Sequence, residues 1–159
     1  MSAYRGDQPP TRAGRLLLDN WQEHGGRARP GIRPARIEEF EREIDCALPA
    51  DFRGTLLMVD GLEEGTWCKL GKGADRRSLV TFWSFESIVA RARTEQDPAT
   101  LRVLPFADYL LSWCEYAACL RGEDYGRVLK LSPGGETVIA KSFERFVEMY
   151  IQGKRALFM

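Results

Sequence analysis

At 159 residues, 44% apolar and 29% charged, the chain has the size and composition of one globular domain. It can bury a core without staples and is too apolar for disorder. Its 23 basic and 23 acidic residues cancel, which argues against a general nucleic-acid binder; no run approaches the ~18 apolar residues of a membrane span, and no secretory signal opens the chain, so a cytoplasmic location is expected.

Residues 1–13 read as a flexible, proline-containing arm, and residues 14–159 as a single domain. Leu16, Leu17, Leu18 and Trp21 predict a short helix that Gly25 and Gly26 end. The basic stretch RARPGIRP, residues 27–34, reads as a turn-rich connector, since two prolines and a glycine resist regular structure. Residues 35–46 give the clearest helix: Ile37, Phe40 and Ile44 form one apolar stripe, with Glu38, Glu39, Glu41, Glu43 and Asp45 around it. Pro49 opens the next helix, with Asp51 in its first turn, where the helix dipole favours a negative charge. Phe52, Leu56 and Val59 make its buried face, and Asp60-Gly61 is expected to stop it with a left-handed glycine cap.

A short strand at residues 67–70 and a glycine- and charge-rich loop at 71–77 are expected next. LVTFW, residues 79–83, is β-branched and aromatic, hence a strand. Ser84 then caps a helix carrying Phe85, Ile88 and Val89, broken at Asp97-Pro98. Strands follow at 101–106, 113–120, 127–131 and 137–140, with turns at 122–126 and at Pro133-Gly134-Gly135. Ser142 caps a closing helix with Phe143, Phe146, Val147 and Tyr150 on one face, ended by Gly153. The latter part of this order reads as an antiparallel sheet followed by a helix.

Little in the sequence holds a catalytic reading. His24 is the only histidine, no GxSxG elbow occurs, and Gly71-Lys72-Gly73 lacks the pattern of a phosphate loop. Cys46, Cys68, Cys114 and Cys119 form no CxxC or Cys/His cluster; reduced thiols acting as small hydrophobes, with no metal and no cofactor, are expected. Trp83, Trp113, Tyr109 and Tyr125 are candidate interface anchors, although aromatics within strands usually belong to the core, the reading preferred for Trp83 and Trp113. Charge is uneven: residues 37–64 hold nine acidic against two basic groups, a local excess of seven negative charges. That stretch is either a solvated helix face or a recognition surface for a basic partner.

The run IEEFEREIDCALPADFRGTLLMVDGL, residues 37–62, resembles the opening motif of the SUKH superfamily, with Ile37, Phe40-Glu41, Leu48-Pro49, Phe52, Leu56 and Gly61 at its marked positions. The pattern resumes at Phe106-Ala107-Asp108 and at Ile139-Ala140-Lys141-Ser142-Phe143, so the resemblance spans about residues 14–152. Asp60-Gly61-Leu62 departs from the common Asn-Gly-Gly; residues 63–77 and 154–159 match nothing in it. The superfamily includes the yeast killer-toxin-resistance and cell-wall assembly regulators and many bacterial proteins. The resemblance implies an α+β domain, a mostly antiparallel sheet flanked by helices, that binds proteins and is not an enzyme: an immunity protein against a nuclease-type toxin, or a regulatory scaffold without a toxin partner. Combined with the acidic stretch, it names Glu38, Glu39, Glu43, Asp45, Asp60, Glu63 and Glu64 as candidate contacts for a basic toxin domain, with no direct nucleic-acid or membrane partner. Glu41, inside the motif, is the weakest candidate, since its role there can be to hold a neighbouring loop.

Overall fold

In the computed structural model, which describes residues 9–63, 79–94 and 97–158, the first helix is α1 (Arg12–Glu23), capped by Thr11, whose hydroxyl accepts the Gly14 N–H. Ala13, in its first turn, is fully buried. The basic connector is not wholly irregular. It contains β1 (Ala28–Pro30), paired antiparallel with β2 (Val59–Leu62). Gly31 lies so close to the chain ahead that a β-carbon there would stand 1.9 Å from the Leu57 carbonyl oxygen.

α2 (Pro34–Ile44) buries Ile37, Phe40 and Ile44, the predicted stripe, and ends at Asp45 in the left-handed conformation, φ 51°. α3 (Ala50–Met58) follows Pro49 as expected. Its stop differs from the expectation. Gly61 does have positive φ, 69°, yet it lies within β2 and caps no helix. A side chain there would press on the Phe82 carbonyl oxygen at 2.8 Å, so the glycine serves close approach of two chain segments.

The five-stranded antiparallel sheet runs in order β3 (Val80–Phe82), β4 (Val103–Tyr109), β5 (Cys114–Cys119), β6 (Val128–Ser132) and β7 (Gly135–Ala140). Each neighbouring pair is sequence-adjacent, so short hairpins build the sheet once β3 has delivered the chain through α4 (Phe85–Ala92). Ser84 caps α4 and Ser142 caps α5 (Phe143–Gln152), each through its hydroxyl, and Gly153 ends α5 at φ 64°. The chain is an α+β domain, with five helices and two antiparallel sheets among the described residues.

The core is aromatic. Phe52, Phe82, Phe106, Phe143, Phe146 and Tyr116 pack with ring centroids 5.0–6.4 Å apart, mostly edge to face, the arrangement the ring quadrupole favours. Trp21 of α1 joins them against Phe82 at 5.3 Å and donates its indole N–H to the Tyr150 hydroxyl at 3.2 Å. The apolar faces expected on the helices (Ile37, Phe40 and Ile44; Phe52, Leu56 and Val59; Phe143, Phe146, Val147 and Tyr150) are buried, and so are Leu48 and Phe106 of the motif. The tail closes over this core: Tyr116 Oη donates to the Leu157 carbonyl at 2.6 Å, and Phe158 packs on Tyr109.

One aromatic breaks the expectation. Trp113, read as core, is 61% exposed, because it lies in the β4–β5 turn and not within the strand. Cys46, Cys114 and Cys119 are free; Cys114 and Cys119 are buried and Cys46 half-buried. Burial pushes the Cys46 and Cys114 thiols up from their ordinary range, consistent with inert packing groups. Cys68, the strand at 67–70 and the loop at 71–77 lie outside the described residues.

Candidate functional site

Helical spacing sorts the α2 acids into two groups. Glu38, Glu41 and Asp45 fall at i, i+3 and i+7, on one face. Together with Arg42, Cys46 and Ala47 they line an open depression on the surface. Glu39 and Glu43 fall at i and i+4 on the neighbouring face, where Arg36 of α2 itself meets Glu39 and Arg93, at the end of α4, meets Glu43.

Those arginines form a ladder between the two helices. Arg93 donates to both Glu43 oxygens, at 2.7 and 2.9 Å. Arg36 does the same to Glu86, at 2.9 and 3.0 Å, while its other nitrogen stands 3.6 Å from Glu39. Arg36 also lies over the Phe85 ring, 5.4 Å from its centroid. Hydrogen bonds from Arg93 hold the Glu43 carboxyl below the usual carboxylate range, and those from Arg36 do so for Glu86. Glu43 is therefore already partnered within the chain.

Glu41 has a structural task. Its carboxylate accepts the Leu48 N–H at 2.8 Å and the Arg53 Nε–H at 3.1 Å, tying the end of α2 to the loop before α3. Arg53 reaches on to Glu38 at 3.8 Å. This accounts for the Phe-Glu…Leu-Pro spacing: a carboxylate seven residues back supplies the acceptor for the Leu48 N–H just ahead of Pro49. Asp45 is exposed and forms no ion pair with a described residue.

The remaining candidates sit elsewhere. Asp60, in β2, accepts the Phe85 N–H at 2.5 Å and so serves the start of α4. Burial pushes its carboxyl up, opposed by that N–H and by Arg29. Glu63 lies 3.5 Å from Arg27 beside the β1–β2 pair. Glu64 lies outside the described residues. The structure thus gathers Glu38 and Asp45, with Glu41, in one depression; Glu39 and Glu43 share the adjoining helix face, and Asp60 and Glu63 are apart.

Sequence reasoning missed the counter-charges. The Arg36–Glu39 spacing was a visible local signal, but Arg53, Arg93 and Glu86 approach only through tertiary packing. It also missed Asp51, whose Oδ2 accepts the Glu144 N–H at 2.9 Å and caps α5 from another helix. Of the proposed aromatic anchors, Tyr109 is buried and Trp83 half-buried. The Tyr125 ring is part-exposed, and its hydroxyl donates to the Ala47 carbonyl, at the rim of the acidic depression.

Set against known families, residues 31–149 match the SMI1 / KNR4 family (SUKH-1). The chain belongs to this family. The SUKH-1 match takes in α2, α3, the whole five-stranded sheet and most of α5, and therefore the acidic depression as well. α1 falls outside the match although Leu17 and Trp21 are integral to the core. No curated protein matches the chain. SUKH-1 membership is consistent with immunity or protein-interaction roles. Among the described residues no three His, Cys, Asp or Glu side chains could hold a metal ion, and no helix is long and apolar enough to cross a membrane.

Proposed function

We propose that this SUKH-1 chain is an immunity protein that binds and neutralises a cognate nuclease-type toxin domain in the cytoplasm. The observation that supports the reading is the open acidic depression of Glu38, Glu41 and Asp45. A nuclease site must attract phosphates and is lined with Lys and Arg. Carboxylates offered at similar spacing exploit the same field, which raises association rate as well as affinity. The arrangement separates roles: Glu41 holds the loop, while Glu38 and exposed Asp45 present charge outward.

The test uses the toxin domain encoded beside the gene. The purified chain is expected to bind it and to block its nuclease activity. The double variant Glu38→Lys with Asp45→Lys should fold normally and associate about tenfold more slowly at low ionic strength, with the difference shrinking as salt rises. A neighbouring toxin that the wild-type chain neither binds nor inhibits would leave a regulatory interaction module as the better account. Unchanged association by the folded double variant would remove the depression from the mechanism.

A further inference from the structure

The β4–β5 hairpin closes in an unusual way. Leu110, Leu111 and Ser112 all have positive φ, 52°, 50° and 71°, with no glycine, asparagine or aspartate among them. Left-handed backbone is costly for side chains with a β-carbon, and branched apolar ones gain no compensating local hydrogen bond. The turn is nevertheless tied down. The Leu110 N–H donates to the Leu79 carbonyl at 3.1 Å and the Trp113 N–H to the Leu110 carbonyl at 3.1 Å. Asp108 Oδ2 accepts from Trp83 Nε1 at 3.0 Å and from the Ser112 hydroxyl at 3.3 Å. What this bracing displays is apolar: Leu111 is 96% exposed, Trp113 61%, Leu110 45% and Leu79 41%.

We propose that residues 110–113 are a preorganised anchor that inserts into an apolar socket rimmed by basic side chains on a protein partner. The proposal deepens the reading above, adding a second contact to the same partner. A rigid tip loses little conformational freedom on docking, and exposed Trp and Leu side chains supply the desolvated centre that dominates interface energetics. Charge selects the occupant. Residues 108–115 carry two carboxylates, Asp108 and Glu115, and no basic residue. The two stand directly opposite one another across β4 and β5. Arg91 offsets Glu115, which leaves Asp108 as the charge beside the tip without an ion pair among the described residues, so an anionic membrane or a second copy of the tip meets like charge there. A basic rim complements it. The tip is also joined to the acidic helices: Arg91 of α4 approaches Glu115 at 3.5 Å, and α4 carries the arginine ladder to α2.

The experiment selects a displayed library of random peptides on the immobilised full chain, then titrates the enriched synthetic peptides against wild type and two variants. Enriched peptides should combine aromatic or aliphatic residues with Lys or Arg. Leu111→Asp should weaken them at least about tenfold. Leu111→Gly, which suits the left-handed backbone, should weaken them comparably while raising the melting temperature, so that loss of binding cannot come from loss of fold. Failure to enrich such peptides, or equal binding by wild type and both variants, overturns the proposal. So does flotation with phosphatidylcholine–phosphatidylglycerol vesicles that Leu111→Asp abolishes, or a sedimenting dimer that it dissociates. The neighbouring toxin separates the two readings. Toxin binding indifferent to Leu111→Asp removes the tip and leaves the immunity role. Tip-dependent peptides without toxin binding do the reverse.

Discussion

In α2, local and tertiary demands agree: the apolar stripe faces the core, Pro34 sits in the first turn, and the acids that looked outward mostly found partners. At the β4–β5 tip they disagree. Three side-chain-bearing residues accept left-handed backbone, and Leu111, the most exposed large hydrophobic among the described residues, sits among them. Much of the conspicuous charge on α2 is paired within the chain, whereas the conspicuous anomaly is an apolar loop that the fold braces without burying. Strain and exposure that stability does not need are the stronger pointer to a binding role.

The largest effect should come from the buried side of α2. Phe40 is fully buried and packs edge-on against Phe85 at 5.6 Å. Phe40→Ala should cost about 3–5 kcal/mol in urea unfolding, through lost transfer energy plus a cavity. A loss below about 1 kcal/mol would mean that the helix repacks freely.

Next comes the test of charge as structure. Glu41→Ala strands the Leu48 N–H in a buried loop and should cost about 1–3 kcal/mol. Glu39→Ala, which removes a surface pair 3.6 Å long, should change stability by less than about 0.5 kcal/mol. Equal losses in the two variants would erase the distinction between the loop-holding acid and the solvated one.

At the tip the sign reverses. Leu111→Gly should stabilise the protein by about 1 kcal/mol, because glycine adopts positive φ without the β-carbon clash, partly offset by its freer unfolded chain. Destabilisation would show that the Leu111 side chain supports the fold, and the contrast with α2 would collapse.

The smallest effect concerns pH. Burial lifts the Asp60 carboxyl, so the folded chain holds that proton more tightly than the unfolded one. The stabilising contribution is fully present below the unfolded value and is lost as pH rises through the folded one. Asp60→Asn keeps an oxygen for the Phe85 N–H and should flatten this slope, leaving stability at neutral pH equal or higher. Identical slopes for wild type and variant, from thermal unfolding at stepped pH, would assign the dependence to other groups.

Much of the fold was legible because its signals are local. The periodicity of 37–44, Pro49, the serine caps at 84 and 142, and Gly153 each act within a turn of where they stand. The connector at 27–34 was misread in part because β1 pairs with residues some thirty positions away, a contact no local pattern announces. Gly61 was assigned a familiar duty, helix capping, when its need for a bare Cα comes from the Phe82 backbone crossing it.

For the candidate site, the sequence by itself determined the acidic excess at 37–64, the helix that carries it and the split into two faces, since charge count and helical period are chain properties. Tertiary structure alone decided which carboxylates were already spoken for. Arg53, Arg93, Asp51 and Asp60 act across long sequence separations, brought to their partners by hydrophobic packing of α2, α3, α4 and α5. The left-handed run at 110–112 likewise had no local signature, because leucine there is unfavourable. It persists because β4 and β5 pair in a register, Tyr109 to Cys114, that leaves only residues 110–113 to reverse the chain.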